Sequence, residues 1–152
     1  MARFRYRMQN ILNIKEKLEA QAKNEYAQAN MAYNARIEEK EALLRQQEAL
    51  IAESRSLRLR ETLCIRDIED NKLSGELMQE KLKAQDRLIA EAKREVEVKR
   101  QAMTALMQER KTHEILRERA FEQFLADEKA QESKQIDELT SYVFGKEQVR
   151  KE

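Results

Sequence analysis

The fold is decided between residues 43 and 65, where the sequence reads LLRQQEALIAESRSLRLRETLCI. Apolar residues return there every seven positions, at Leu43, Leu50, Leu57 and Cys64. A seven-residue repeat of this kind is typical of a coiled-coil helix, because its narrow apolar stripe is buried only against another helix. This stretch therefore predicts a long helix that packs on a second helix.

The second half of the chain carries a repeat of the same length. Its heptad positions are Leu82, Ile89, Val96, Met103, Arg110, Arg117 and Phe124. The residues that most disfavour helix interiors are scarce, because the chain has no proline and only two glycines, Gly75 and Gly145. We therefore predict an all-α fold, a long two-helix antiparallel coiled-coil hairpin.

The glycine nearest the middle of the chain marks the predicted turn. Asn71 and Ser74, which lie just before Gly75, favour turns and helix N-caps. The turn is therefore expected at about 71–75. A weaker alternative is a turn at about 54–60, where two serines interrupt the apolar pattern.

The predicted hairpin fixes boundaries, pairing and core. It is a single domain of residues 1–152, with a first helix at about 3–71, the turn at about 71–75 and a second helix at about 76–144. In this register Leu50 faces Val96 and Cys64 faces Leu82, although registers one heptad away align the apolar positions equally well. The predicted core residues are Met8, Ile11, Leu18, Leu43, Leu50, Leu57, Cys64, Leu82, Ile89, Val96, Met103, Leu106 and Phe124.

Composition argues against several classes of function. Charged residues make up 39% of the chain, yet the formal net charge is only +1, so we expect no nucleic-acid partner and only indirect contact with a membrane. One cysteine and one histidine give no metal-ligand set, so neither a metal nor a cofactor is expected. Two solvated helices also offer no pocket for a catalytic group. The sequence therefore predicts an interaction protein and not an enzyme.

The two ends of the chain carry the most distinctive side chains. Arg3, Arg5 and Arg7 alternate with Phe4 and Tyr6, and arginine and aromatic residues dominate the energetics of protein interfaces. The predicted register also brings two C-terminal aromatic residues to this end, namely Tyr142, beside Phe4, and Phe144. We expect the end to bind a partner. The alternative is an exposed terminus that contacts nothing.

The opening segment, residues 4–16, resembles a known family. It reads Phe-Arg-Tyr-Arg-Met-Gln-Asn-Ile-Leu-Asn-Ile-Lys-Glu and is similar to the start of the flagellar export protein FliJ, F-x-[FY]-R-[LM]-x-x-[VIL]-L-x-[IL]-[KR]-E. Residues 132–139, Glu-Ser-Lys-Gln-Ile-Asp-Glu-Leu, resemble the C-terminal E-x-x-x-[IL]-D-E segment of that family. The midsection departs from the family, because Ile65, Ile68, Leu73 and Leu77 stand where its members often carry aromatic residues.

The resemblance implies a stalk protein of the bacterial flagellar type III export apparatus. Such a stalk binds the hexameric export ATPase through its terminal end, contacts the cytoplasmic domain of the membrane export gate and assists export chaperones. It is expected in the cytoplasm, peripheral to the inner face of the membrane at the flagellar base, and to be a monomer when isolated. By this resemblance the ATPase-binding residues are Arg3, Phe4, Arg5, Tyr6, Arg7, Tyr142 and Phe144.

Three further interpretations remain open at this level, and one of them is a substrate chaperone with a helical groove. The chain could be the homologous stalk of a virulence-type injectisome, which has the same architecture. It could also be a dimeric structural coiled coil, in which the apolar repeats of two copies meet.

Overall fold

The computed structural model describes residues 3–150, which form two helices. Helix α1 covers Gln9–Arg58 and helix α2 covers Ile65–Val149, and the described residues contain no strand. The helices pack against each other in two compact units. Residues 3–19 and 106–150 belong to the first unit, and residues 20–105 to the second. The predicted all-α helical hairpin is confirmed.

The turn lies at residues 59–64, so the prediction of a turn at 71–75 is wrong. Helix α1 ends with basic residues in its last turn and α2 begins with Asp67 in its first, and both charges are favourable to the helix dipoles. Asn71 is an interior residue of α2, and its Nδ2 donates a hydrogen bond of 3.1 Å to the carbonyl oxygen of Leu50. The residue that suggested a turn therefore joins the two helices.

Neither glycine ends a helix. Gly75 and Gly145 both lie within α2, and neither has a positive φ. A glycine costs only about 1 kcal/mol in a helix interior, an amount that packing along a helix of 85 residues offsets. Helix α2 therefore continues to Val149 and not, as predicted, to about residue 144.

Helix α1 begins at Gln9 and not at residue 3. Residues 3–8 are not helical, and the amide of Gln9 donates a hydrogen bond of 3.3 Å to the carbonyl oxygen of Tyr6. The first regular helical bond across this start joins the amide of Leu12 to the carbonyl oxygen of Met8 at 3.0 Å.

In the second unit the buried apolar residues of α1 follow the predicted heptad, because Leu57 is only 6% exposed and Ala22 and Ala29, which lie in phase with it, are also buried. On α2 the buried residues of this unit are Met78 and Gln85, each four residues before a predicted heptad position. The other heptad residues that were predicted for the core are half-buried, namely Leu43, Leu50, Leu82, Ile89, Val96 and Met103. Leu57 is the last buried residue of α1 before the turn.

Four predicted core residues do not lie in the core. Met8, Ile11, Leu18 and Cys64 are exposed. Leu12 is the buried residue of this region, at 1% exposure, and Glu19 follows it one heptad later at 3%. The predicted core positions in this region were therefore displaced by one residue. The reason is that one heptad position is a buried glutamate, so the apolar residues beside it were taken for the core. Cys64 lies in the turn. Leu106 and Phe124 are half-buried.

Polar contacts between the helices define the register in the second unit. Lys99 Nζ lies 3.0 Å from Glu25 Oε2, and Lys40 Nζ lies 2.7 Å from Asp86 Oδ1. The hydrogen bond from Lys99 holds the pKa of Glu25 below its ordinary value, and the pKa of Lys99 is raised in turn. These pairs differ from the predicted register by about three heptads, a shift that keeps the heptad positions of the two helices in phase.

The first unit has polar pairs of the same kind. Lys15 Nζ lies 2.6 Å from Glu109 Oε2. Arg110 is hydrogen-bonded through Nε to the buried Glu19, and its Nη1 lies 2.7 Å from Glu114 Oε1. A buried carboxylate requires such a partner, because an unpaired charge is costly in a weakly solvated site.

The thiol of Cys64 should react freely in the folded protein, because the residue is exposed in the turn. We expect a thiol reagent such as Ellman's reagent to modify it within a fewfold of the rate seen in denaturant. A folded-state rate more than a hundredfold slower would place Cys64 inside a helix pair and contradict the turn at residues 59–64.

Two leucines beside the turn should respond in opposite ways to truncation. Replacing Leu57 by Ala should lower the free energy of unfolding by about 2 to 4 kcal/mol, because its side chain is buried. Replacing Leu59, which is 85% exposed, should change it by less than about 0.5 kcal/mol. Urea denaturation followed by circular dichroism measures both, and equal losses would show that the interface does not end at Leu57.

Candidate partner-binding surfaces at the chain ends

An aromatic contact fixes the N-terminal segment, residues 3–8, on α2. The ring of Phe4 lies 5.1 Å from that of Phe121 in an edge-to-face arrangement and 5.5 Å from that of Phe124. Such pairs contribute about 0.5 to 1.5 kcal/mol beyond the area they bury. Phe4 therefore anchors a stretch of chain that has no helical hydrogen bonds of its own.

The side chains of this segment alternate between α2 and solvent. Phe4 and Tyr6 are half-buried, whereas Arg3, Arg5 and Arg7 are exposed. Because the two rings pack against the protein, the three guanidinium groups between and beside them stay at the surface. The sequence predicted this grouping of residues, and the structure shows that the packing of the rings produces it.

A fourth arginine joins the group from α2. Arg117 lines the same open cleft as Arg3, Arg5 and Arg7. The amide side chains of Gln9 and Asn10, in the first turn of α1, complete its polar lining. Among residues 3–150 none of the four arginines forms an ion pair. In the sequence Arg117 is recognisable only as a polar heptad position, because its place in this cleft depends on the register of the two helices.

The hydroxyl of Tyr6 lies in an unusual environment. Its oxygen is enclosed by protein and has no hydrogen-bond partner among the described residues. A buried hydroxyl without a partner loses its hydration and gains nothing in return. The ring of Tyr6 therefore contributes to packing here, while its hydroxyl opposes folding.

The two predicted C-terminal site residues lie apart from the arginines. Tyr142 and Phe144 belong to α2 and are 62% and 65% exposed. Tyr142 follows Phe124 by 18 residues of continuous helix, or roughly 27 Å at 1.5 Å per residue. The predicted contact between Phe4 and Tyr142 is therefore wrong. Tyr142 is instead covered on one side by Lys146, whose Nζ lies 4.8 Å from the centre of its ring.

An apolar stripe lies around these aromatic residues and was not predicted from the sequence. Ile136, Leu139 and Val143 lie three and four residues apart on α2, so they share one face of the helix, and each is more than half exposed. The residues from 129 to 148 are all exposed. We refer to α2 from residue 129 to 148 as the tail. The spacing of its apolar residues is visible in the sequence, but their exposure depends on where α1 begins.

The titratable groups within residues 3–150 form no metal-binding cluster. No group of three or more His, Cys, Asp or Glu side chains there is arranged to hold a metal ion. His113 is half-buried on α2, and its Nδ1 has no hydrogen-bond partner among the described residues. In the same range, neither helix contains a stretch apolar enough to cross a bilayer.

Comparison with known proteins identifies the family of the chain. The sequence model of the family described as flagellar FliJ protein matches residues 4–148. No curated protein and no solved structure matches the chain.

Removing the hydroxyl of Tyr6 should stabilise the protein. We expect the Tyr6→Phe variant to gain up to about 1 kcal/mol in the free energy of unfolding, because the ring keeps its packing and the unpaired oxygen disappears. Urea denaturation of the full chain measures this change. A loss of 1 kcal/mol or more would show that the hydroxyl has a hydrogen-bond partner.

Proposed function

Because the chain belongs to the flagellar FliJ family and is thus a protein of flagellar export, we propose that it is the stalk that couples the export ATPase to the export gate. The family is one of structural export proteins and not a known enzyme family. In this proposal the protein binds the hexameric ATPase through the two chain ends. The proposed contacts are Arg3, Phe4, Arg5, Tyr6, Arg7, Tyr142 and Phe144.

The exposed tail is the observation that carries the proposal. Its large apolar side chains are each between 55% and 65% exposed, and they are Ile136, Leu139, Tyr142, Val143 and Phe144. Exposed apolar side chains gathered on one stretch of helix mark an interaction site, because leaving them in water costs about 25 cal/mol per Å². A single amphipathic helix of this type fits a groove or the interior of a ring of subunits.

The N-terminal segment, which we call the arginine end, supports the same proposal through charge. Arg3, Arg5 and Arg7 are exposed and lie beside half-buried aromatic rings. Apolar residues of the tail would supply most of the affinity for the ATPase, whereas the charges would orient the protein and speed its association. No step in this function requires a reacting group. The protein would act by binding several subunits unequally, so that nucleotide-driven changes in the ring are transmitted to the stalk.

We assign the link to the export gate to a different surface. Ile65, Leu73 and Leu77 lie in the first part of α2 and are all more than half exposed. They occupy the midsection of the chain, within the second unit, whereas the ends belong to the first. A protein with separate surfaces could hold the ATPase and the gate together. In this role it would lie at the inner face of the membrane only through its partners, and export chaperones would bind there transiently.

Truncating the two aromatic residues of the tail should weaken the ATPase interaction. We expect the double variant Tyr142→Ala and Phe144→Ala to require at least tenfold more protein for half-maximal stimulation of the cognate ATPase. The physical reason is that each ring loses most of the apolar area that it would bury in the complex. The measurement is ATP hydrolysis titrated with full-length wild-type and variant protein, with circular dichroism to check helix content.

The matched control changes two equally exposed residues of the midsection. Leu73→Ala and Leu77→Ala together should leave ATPase stimulation unchanged and should weaken binding to the cytoplasmic domain of the gate. Equal stimulation by the wild-type protein and the tail variant would remove the tail from the ATPase interface. Loss of stimulation in both double variants would contradict the separation of the two surfaces.

A further inference from the structure

We infer that Arg3, Arg5, Arg7 and Arg117 form one binding site for the carboxylates of an acidic segment of a partner protein. The inference rests on the proposed function in that it gives the chemistry of the surface that the arginine end recognises. It also gives a binding role to Arg117 of α2. The cleft that these side chains line is open to solvent in the isolated protein.

The cleft presents hydrogen-bond donors and positive charge without a compensating acid. Its polar lining consists of the four guanidinium groups and the amides of Gln9 and Asn10, and no carboxylate lies in it. The first turn of α1 also lacks an acidic residue, so the partial positive charge of that helix end adds to the field. Four like charges at close range repel one another, and a bound anion would relieve that repulsion.

Arg110 and Arg117 differ in whether α1 supplies them with an ion-pair partner. Both occupy the same heptad position on α2, seven residues apart. Arg110 is held by Glu19 of α1 and Glu114 of α2. Helix α1 begins at Gln9 and provides no acidic residue for Arg117, which has no ion-pair partner among residues 3–150. The position that receives a carboxylate from α1 one heptad earlier is therefore available to a carboxylate from another protein.

The surroundings favour a protein segment over a nucleic acid or a membrane surface. Glu114 and Glu118 line an adjacent cleft together with Phe4, Arg117 and Phe121. An extended row of phosphates would approach these carboxylates and be repelled. One or two carboxylates would fit, because a guanidinium group binds a carboxylate through two parallel hydrogen bonds. The ring of Phe4 offers apolar contact to the rest of such a segment.

The test compares two arginines of α2 that are two residues apart. Arg117→Gln and Arg119→Gln make the same charge change on exposed positions, but Arg119 does not line the cleft. The full-length protein is titrated with a ten-residue peptide that carries two adjacent glutamates among neutral residues, and binding is followed by calorimetry and by the NMR signals of the arginine side chains. We expect Arg117→Gln to weaken binding about tenfold, which corresponds to losing one charge-assisted contact, and Arg119→Gln to weaken it less than twofold.

Equal weakening by the two variants would overturn the inference, because it would indicate a general charge effect. So would tighter binding of inorganic phosphate, or of vesicles of anionic lipid, than of the glutamate peptide. Absence of any change in the arginine signals at millimolar peptide would also overturn it.

The cognate ATPase separates this inference from the proposed function. If both Arg117→Gln and Arg119→Gln stimulate the ATPase to the wild-type level and the peptide does not bind through Arg117, the carboxylate site is wrong and the stalk function stands. If the peptide binds through Arg117 but wild-type protein does not bind the ATPase, the site stands and the proposed partner is wrong.

Discussion

The pairing of α1 with α2 depends on polar side chains that meet across a mostly apolar interface. An interface built only from heptad leucines is nearly indifferent to shifts of seven residues, because every such shift brings apolar positions together again. Gln85, which is buried, opposes such shifts in the second unit, because its Nε2 donates hydrogen bonds to the carbonyl oxygen of Arg36 and to Glu39. A shifted register would leave this amide buried without partners, which is costly. The exposed pairs of Glu25 with Lys99 and of Asp86 with Lys40 add only a little to this preference.

The same principle decides which side chains are free to meet other molecules. In the first unit Glu19 forms an ion pair with Arg110, whereas α1 begins at Gln9 and provides no carboxylate for Arg117. The start of α1 at Gln9 also leaves the tail without a partner helix, so its apolar stripe stays exposed. The proposed contacts with the ATPase thus arise where the intramolecular pairing stops. A helix pair of equal lengths would have no such surface.

Much of the candidate site could be predicted from residue types alone. The alternation of Arg3, Arg5 and Arg7 with aromatic residues is a local pattern, and its division into exposed charges and half-buried rings follows from the residue types, because charged groups stay in water and aromatic rings bury. The place of Arg117 in the cleft could not be predicted in this way. Arg110 and Arg117 are both polar residues at the same heptad position, and the sequence does not show that only Arg110 is paired with a glutamate of α1. Tyr142 was placed beside Phe4 because the sequence offered several equivalent registers.

The sequence by itself determined that the chain is helical, that two heptad stripes pair with each other and that the ends differ chemically from the rest. These properties follow from periodicity and from the lack of proline, which act within a few helical turns. Only the tertiary structure decided that the turn lies at 59–64 and that Gly75 is an interior residue of α2. The reason is that a turn without glycine or proline has a weak local signal, whereas cross-helix pairs such as Lys99 with Glu25 join residues that are far apart in the chain.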